Sequence, residues 1–328
     1  LSGKVLLTLQ APALFLVFNR PDTTARVFEA LRAARPARLY VAADGPRPNR
    51  EGEAARCDDV RRIATQVDWP CKVTTLFRDR NLGCRIGVST AIDWFFEHEE
   101  EGIVLEDDCL PSTSFFPYCA ELLARYRHDE RVMCVSGDNF QLGREVTQYS
   151  YYFSRNIHCW GWATWRRAWK LYDREMTLWP AFRDGGGLKA WSAGDERFEK
   201  YWLAVFDSVS KVAIDTWDYQ FLFTCWAQHG LACVPQKNLV SNIGFSTDGT
   251  HTFDPTNPLA NLPTQDLSFP LRHPPFINRS VEADLFEAEG LSQYQEKPSI
   301  WRRARTAIRA ALPDPFIAAW KARRGADR

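Results

Sequence analysis

Net charge is missing from this chain: its 41 Lys and Arg are matched by 41 Asp and Glu. No global field exists to gather nucleic acid, so any charged ligand must be met locally. The nine cysteines are odd in number and scattered, and they include no Cys-x-x-Cys pair. That spacing argues against a zinc site or a disulfide framework and predicts reduced, mostly buried thiols in a cytoplasm. No Gly-x-Gly-x-x-Gly follows the first expected strand, which speaks against an ordinary dinucleotide site. Val5 to Phe18 is interrupted by Gln10 and Pro12 and is too short for a membrane span, and it has no signal-peptide pattern. Internal repeats and low-complexity blocks are absent.

What is present is a 45% hydrophobic composition, ample for a substantial core, arranged in alternating short apolar runs and helical patterns. Strands are expected at Ala13 to Phe18, Arg38 to Ala43, Lys72 to Phe77 and Gly102 to Leu105. Between them lie helices Thr24 to Ala34, capped by Asp22 or Thr23, then Gly52 to Val67 and Arg85 to His98. This β-α alternation predicts a parallel sheet with helices on both faces, Rossmann-like in the first third. Further strands are expected at Val132 to Ser136, Tyr149 to Phe153 and Leu231 to Val234, and helices at Ser114 to His128, Trp165 to Leu171, Asp195 to Val209 and Thr216 to His229. Prolines crowd Asp254 to Pro275 and periodicity disappears there. The compact unit is therefore expected to span 1–255, with a nucleotide-binding part at about 12–140 and an acceptor part at about 141–255. A Pro-rich irregular extension follows at 256–298 and a basic helical tail at 299–328.

Glu106-Asp107-Asp108 ends the apolar run Gly102-Ile103-Val104-Leu105 and puts three carboxylates where a buried strand meets open space. Alternate side chains of an extended segment share a face, so Glu106 and Asp108 point one way and Asp107 the other. Hard carboxylate oxygens suit Mg²⁺ or Mn²⁺, whose open positions phosphate oxygens fill. Acidic residues also simply terminate strands. What favours a ligand is the Leu110-Pro111-Ser112 stop and the amphipathic helix that follows, because ligands in open α/β sheets gather at the carboxyl ends of strands.

Phe18-Asn19-Arg20-Pro21, Ala43-Asp44-Gly45, Arg80-Asn81-Leu82-Gly83, Val104-Leu105-Glu106-Asp107-Asp108, Val135-Ser136-Gly137-Asp138-Asn139 and Thr216-Trp217-Asp218-Tyr219 together resemble GT-A glycosyltransferases. The resemblance is to the N-acetylglucosaminyltransferase I family and to bacterial nucleotide-diphospho-sugar transferase-like proteins, over roughly residues 12 to 250. It implies a GT-A fold: a mixed, mostly parallel sheet flanked by helices, with a C-terminal extension. It implies further that Asp108 binds the metal, Mn²⁺ or Mg²⁺, that carries the donor diphosphate, with Asp107 facing the ribose and Glu106 the donor sugar. Asn19, Arg20 and Asp44 would hold base and ribose, and Arg85 would approach the same ligand. Asp218 matches the catalytic base position. Trp217 replaces the acidic residue that the family carries before it, and Asn19 departs from an acidic context, which weakens the case for uridine. His251, reached through Ser241-Asn242-Ile243-Gly244-Phe245-Ser246, stands where many such enzymes place a metal ligand.

The reaction so implied is an inverting, metal-dependent transfer from a nucleotide-sugar donor, UDP-N-acetylglucosamine in the first instance, to a hydroxyl of a glycan or lipid-linked saccharide. Asp215 and Asp218 also suit the capping of a helix beginning near Thr216. Two other functions remain open, a sugar nucleotidyltransferase and a non-catalytic glycan-binding protein on a transferase fold. A nucleotidyltransferase normally carries a Gly-rich basic loop after the first strand, and Asn19-Arg20-Pro21-Asp22 supplies none. Trp162, Trp165 and Trp169 stand at i, i+3 and i+7, one helical face. Trp165 and Trp169 are expected in the core, with Trp160 and Trp162 stacking on a sugar. Residues 299–328 carry eight Lys or Arg and two Asp. They suit either a solvated helix packed on the catalytic unit or a weak, salt-sensitive contact with an anionic membrane, the latter placing the protein at the inner face.

Overall fold

The computed structural model describes residues 9–245, 257 and 259–290. His251 and the basic tail at 299–328 lie outside the described residues. Strand β1 (Ala13–Val17) leads into α1 (Pro21–Ala34), β2 (Arg38–Ala43), α2 (Glu53–Ala64), β3 (Lys72–Phe77), α3 (Gly83–His98) and β4 (Glu101–Glu106). The chain continues through β5 (Cys109–Pro111), α4 (Phe115–Tyr126), β6 (Val132–Ser136), β7 (Tyr151–Ser154), β8 (Trp162–Trp165) and the single turn α5 (Arg166–Trp169). Short helices α6 (Trp179–Asp184) and α7 (Gly187–Ser192) precede α8 (Glu196–Ser210) and α9 (Asp218–Ala227). After them come β9 (Leu231–Pro235), β10 (Val240–Asn242) and α10 (Val281–Gly290).

Among the described residues the main sheet has eight strands in the order β3-β2-β1-β4-β8-β6-β9-β7. It is mostly parallel: β8 lies antiparallel between β4 and β6, β7 antiparallel to β9, and the remaining pairs are parallel. This is the mixed α/β, Rossmann-like sheet the β-α alternation implies. The order β3-β2-β1-β4 means that the chain reverses its direction of sheet growth between β1 and β4. At such a switch point a crevice opens outside the carboxyl ends of the strands.

Alternation along the strands divides the core into two layers. Phe15, Val41 and Leu105 face Val27, Phe28 and Leu31 of α1 and Phe115 and Leu122 of α4. On the other face Tyr40 meets Phe95 of α3 edge-on at 5.0 Å. The helices begin where local chemistry allows. Pro21 opens α1, where its missing N–H costs nothing, and the flanking position is Arg20 rather than Asp22 or Thr23. Thr24 turns its hydroxyl back onto the carbonyl of Arg20 at 2.7 Å.

Three local expectations are corrected. Trp162–Trp165 is a strand, not the start of a helix, because it fills the gap between β4 and β6 and takes its hydrogen bonds from both. Leu110-Pro111-Ser112, expected to halt the strand, does not end extended structure: Cys109–Pro111 forms a two-stranded antiparallel ladder with β10. The stretch 256–298, expected to be irregular, contains α10, which buries Asp284 and Glu287 against Ser154, Arg279 and His158. No helix among the described residues is long and apolar enough to cross a membrane.

Candidate functional site

At the switch point the loop after β1 meets the acidic end of β4. Asp107 turns towards β1, where it accepts the backbone N–H of Phe18 at 3.1 Å and one arm of the Arg20 guanidinium. Asp108 accepts the other arm at 2.9 Å. Arg20 thus forks across two adjacent carboxylates, a charge-assisted arrangement suited to its planar geometry. Burial works against its charge, yet Asp107 and Asp108 hold it well above the usual arginine range. Burial pushes the Asp107 carboxyl up to about 6 even though Arg20 pulls it down. Glu106 is pushed up to about 8 by burial, then by Asp108 and Asp107, with Asp218 adding to the effect.

Asp218 reaches this cluster from the other half of the chain. Its position depends on an aromatic anchor: Trp217 is buried and stacks on Trp162 of β8 at 5.4 Å and 23°, while Tyr172 donates its hydroxyl to the Trp217 carbonyl at 3.1 Å. Asp218 is the first residue of α9, and its carboxylate takes the hydroxyl of Thr216. Asp215 does not cap α9. It accepts the N–H groups of Cys84 at 3.1 Å and Arg85 at 3.0 Å, at the start of α3. Asp215 thereby ties the segment before Asp218 to the Asn81-Leu82-Gly83 turn. Gly83 has φ +78, and a Cβ there would stand 2.9 Å from Asp215, so both conformation and space call for glycine.

Several expected ligand residues hold the frame of the crevice. The Asn19 amide donates to Glu53 at 2.9 Å, and Glu53, fully buried, also accepts the Arg47 backbone at 2.7 Å and its guanidinium. Asp44 ends β2 beside this loop and accepts the Leu82 N–H at 2.9 Å, its carboxyl raised by burial. Arg85 is directed away, onto the Arg174 carbonyl at 3.0 Å and Glu175 at 2.6 Å. Trp162 is a correction: it is completely buried against Trp217 and Phe221 and offers no face to a sugar. Trp165 and Trp169 are core, as expected. Trp160 is partly buried against the core, edge-on to Phe140 at 5.2 Å and to Phe245 at 5.6 Å.

Glu53, Asp215, Gly244 and Phe245 carry no sequence signal of their own as site residues, because each acts through a contact more than 30 positions away. Glu53 permits a test by pH. The Arg47 side chain, burial notwithstanding, holds its carboxyl down at about 2 against an ordinary 4.5. A depressed carboxyl contributes stability above its unfolded pKa and loses it as pH falls through the folded one. The gap in melting temperature between the native protein and Glu53→Gln is therefore expected to be full above pH about 4.5 and to close towards pH about 2. A gap that is constant over that window would remove the ionised Glu53 clamp.

Hard oxygen donors and a surplus of negative charge suit a divalent cation here. No three His, Cys, Asp or Glu side chains among the described residues form a protein-only cage. A cation at Asp108 would thus complete its shell with phosphate oxygens and water, the usual habit of Mg²⁺.

No protein-family model and no curated protein matches the sequence. Among solved structures, the UTP-bound UGPase from Acinetobacter baumannii is similar over 71% of this chain and 88% of its own, at 8% identity and a TM-score of 0.35. A UDP-glucose pyrophosphorylase complexed with UDP-glucose is similar over 49% of this chain and 78% of its own, at 9% identity and a TM-score of 0.28. Likeness at this level carries no argument about chemistry.

Proposed function

We propose that this chain is an enzyme that binds a nucleotide-diphosphate sugar in the crevice between β1 and β4. The observation that supports this reading is the meeting, at the sheet's switch point, of Arg20, Asp107 and Asp108 with Glu106 and, from the far half of the chain, Asp218. Phosphates there would meet a guanidinium, and Asp108 would hold Mn²⁺ or Mg²⁺ between protein and diphosphate. When bound, that ion supplies charge neutralisation to the departing diphosphate. In this reading Asp107, facing β1, would meet the ribose side of the ligand and Glu106 the sugar side. The part of the Trp160 ring left uncovered would meet an apolar sugar face.

In the first of two finer readings, Asp218 accepts the proton of an acceptor hydroxyl on a glycan or lipid-linked saccharide. The hydroxyl oxygen forms the new bond to the anomeric carbon, and the bond to the nucleotide diphosphate breaks with inversion. In the second, a sugar nucleotidyltransferase, a sugar phosphate attacks a nucleoside triphosphate and pyrophosphate leaves. The loop after β1, with no Gly-rich basic stretch, and the placement of Asp218 favour the first. Incubating the protein and Mn²⁺ with UDP-glucose or UDP-N-acetylglucosamine separates them. UTP formed on adding pyrophosphate establishes the nucleotidyltransferase, and UDP released only with a saccharide acceptor establishes sugar transfer. Failure of a panel of UDP-, GDP- and dTDP-sugars to raise the melting temperature would overturn both.

Asp108→Ala is expected to weaken Mn²⁺-dependent binding of UDP at least about tenfold, or 1.4 kcal/mol, while the protein stays folded, because Asp107 still holds Arg20. Calorimetric titration checks this, and an unchanged affinity would take Asp108 out of the metal site.

A further inference from the structure

Arg20 was expected beside the base and ribose, but its guanidinium is spent on Asp107 and Asp108. Its backbone is immobilised, because the Arg20 carbonyl accepts both the N–H of Thr24 at 3.0 Å and the Thr24 hydroxyl at 2.7 Å, and Pro21 follows. Any change of partner must therefore be a swing of the side chain alone. That side chain is 25% exposed, whereas the Asp107 side chain it grips is 3% exposed, so Arg20 is the member of the pair that solvent reaches.

The other side of the pair is closed by the strand-end that follows β10. Ile243 donates its N–H to the Asp108 carbonyl at 2.8 Å. A Cβ added to Gly244 would lie 2.1 Å from the Asp108 carboxylate oxygen that Arg20 grips and 2.7 Å from the guanidinium itself. A side chain at 244 would therefore collide with the ion pair. A divalent ion on the same Asp108 oxygen would have to take the place that the guanidinium holds.

Resting on the reading of Asp108 as the metal ligand, we propose that Arg20 is a built-in counter-ion that competes with the divalent cation for Asp108 and passes to the nucleotide diphosphate when the cation enters. The diphosphate supplies what the displaced guanidinium needs, a planar pair of acceptor oxygens for its fork. Metal and nucleotide then bind with positive coupling: each removes the partner that obstructs the other.

The test is calorimetric titration of Mn²⁺ alone, and of UDP at saturating Mn²⁺, into the full chain and its Arg20→Ala and Arg20→Lys variants, with circular dichroism as the check on folding. Arg20→Ala is expected to bind Mn²⁺ alone at least about tenfold more tightly than the native protein and UDP at least about tenfold more weakly. Arg20→Lys, which keeps the charge but loses the fork, is expected to fall between on both measures. In the native protein, UDP is expected to raise the Mn²⁺ affinity. Equal or weaker Mn²⁺ binding by folded Arg20→Ala, with binding still dependent on Asp108, overturns the competition and leaves the Asp108 reading standing. Mn²⁺ binding that is indifferent to Asp108→Ala overturns both. Should Arg20→Ala not fold, Arg20→Lys with unaltered Mn²⁺ affinity, or native protein in which UDP leaves Mn²⁺ affinity unchanged, is sufficient to reject the proposal.

Discussion

Asp218→Asn is expected to lower sugar transfer at least ~10²-fold while leaving the affinity for the nucleotide-sugar donor within a factor of about two, the scale for removing a general base. The amide keeps the shape of the side chain and can still take the Thr216 hydroxyl, so α9 and its aromatic anchor should be undisturbed. Steady-state assay of UDP release with a saccharide acceptor, set beside calorimetry of donor binding, checks both halves. A variant with near-native transfer assigns Asp218 to local structure. Under a nucleotidyltransferase the same substitution leaves pyrophosphorolysis largely intact, since that reaction activates no acceptor hydroxyl through Asp218. Proton NMR of the product offers a further check, because single displacement requires inversion at the anomeric carbon.

Trp162→Ala is expected to destabilise the fold by about 3–5 kcal/mol, the range for removing a buried large aromatic. Trp162 is fully buried and packs against Trp217, Phe221 and Trp169, with ring centroids 5.4, 5.1 and 6.2 Å away. The indole is also what Trp217 stacks on, so its loss releases the residue before Asp218. Urea denaturation should show the lower midpoint, and Trp162→Phe, which keeps a ring in the cavity, should recover part of it. If Trp162 instead served as an exposed sugar platform, its removal would weaken ligand binding with little change in stability.

These two expectations mark how far the sequence reaches. Val104-Leu105-Glu106-Asp107-Asp108 was legible because a buried parallel strand is a continuous apolar run and its end is visible as the first charge. The split of that triplet was not legible: β4 ends at Glu106, so Asp107 and Asp108 lie in a turn where strand alternation no longer holds, and both grip the same Arg20 guanidinium. Trp162 was misread for an equally local reason. Its spacing to Trp165 and Trp169 satisfies a helical face, and nothing within those eight residues says that β4 and β6 lie apart with a strand's width between them. Short apolar segments are ambiguous between the two periods until the neighbours are known.

The same limit separates the ligand candidates from their partners. Asn19 and Asp44 were recognisable as polar residues at strand ends, and Arg85 as a polar residue at the start of a helix. Their side chains were claimed by Glu53, Leu82 and Glu175, at separations of 34, 38 and 90 residues. Asp215 caps a helix 130 residues away rather than the one it precedes.

The sequence by itself determined the β-α alternation, the parallel first half of the sheet, the acidic strand end and the lack of a glycine fingerprint, since each follows from contacts between residues a few positions apart. Only the tertiary structure decided which charge meets which. Arg20 can reach Asp107 and Asp108 because β1 and β4 pair in parallel register with Leu16 opposite Glu106, although 90 positions separate the two along the chain. Sequence spacing carries no record of a pairing made by sheet order, and a carboxylate's partner is chosen by distance in space.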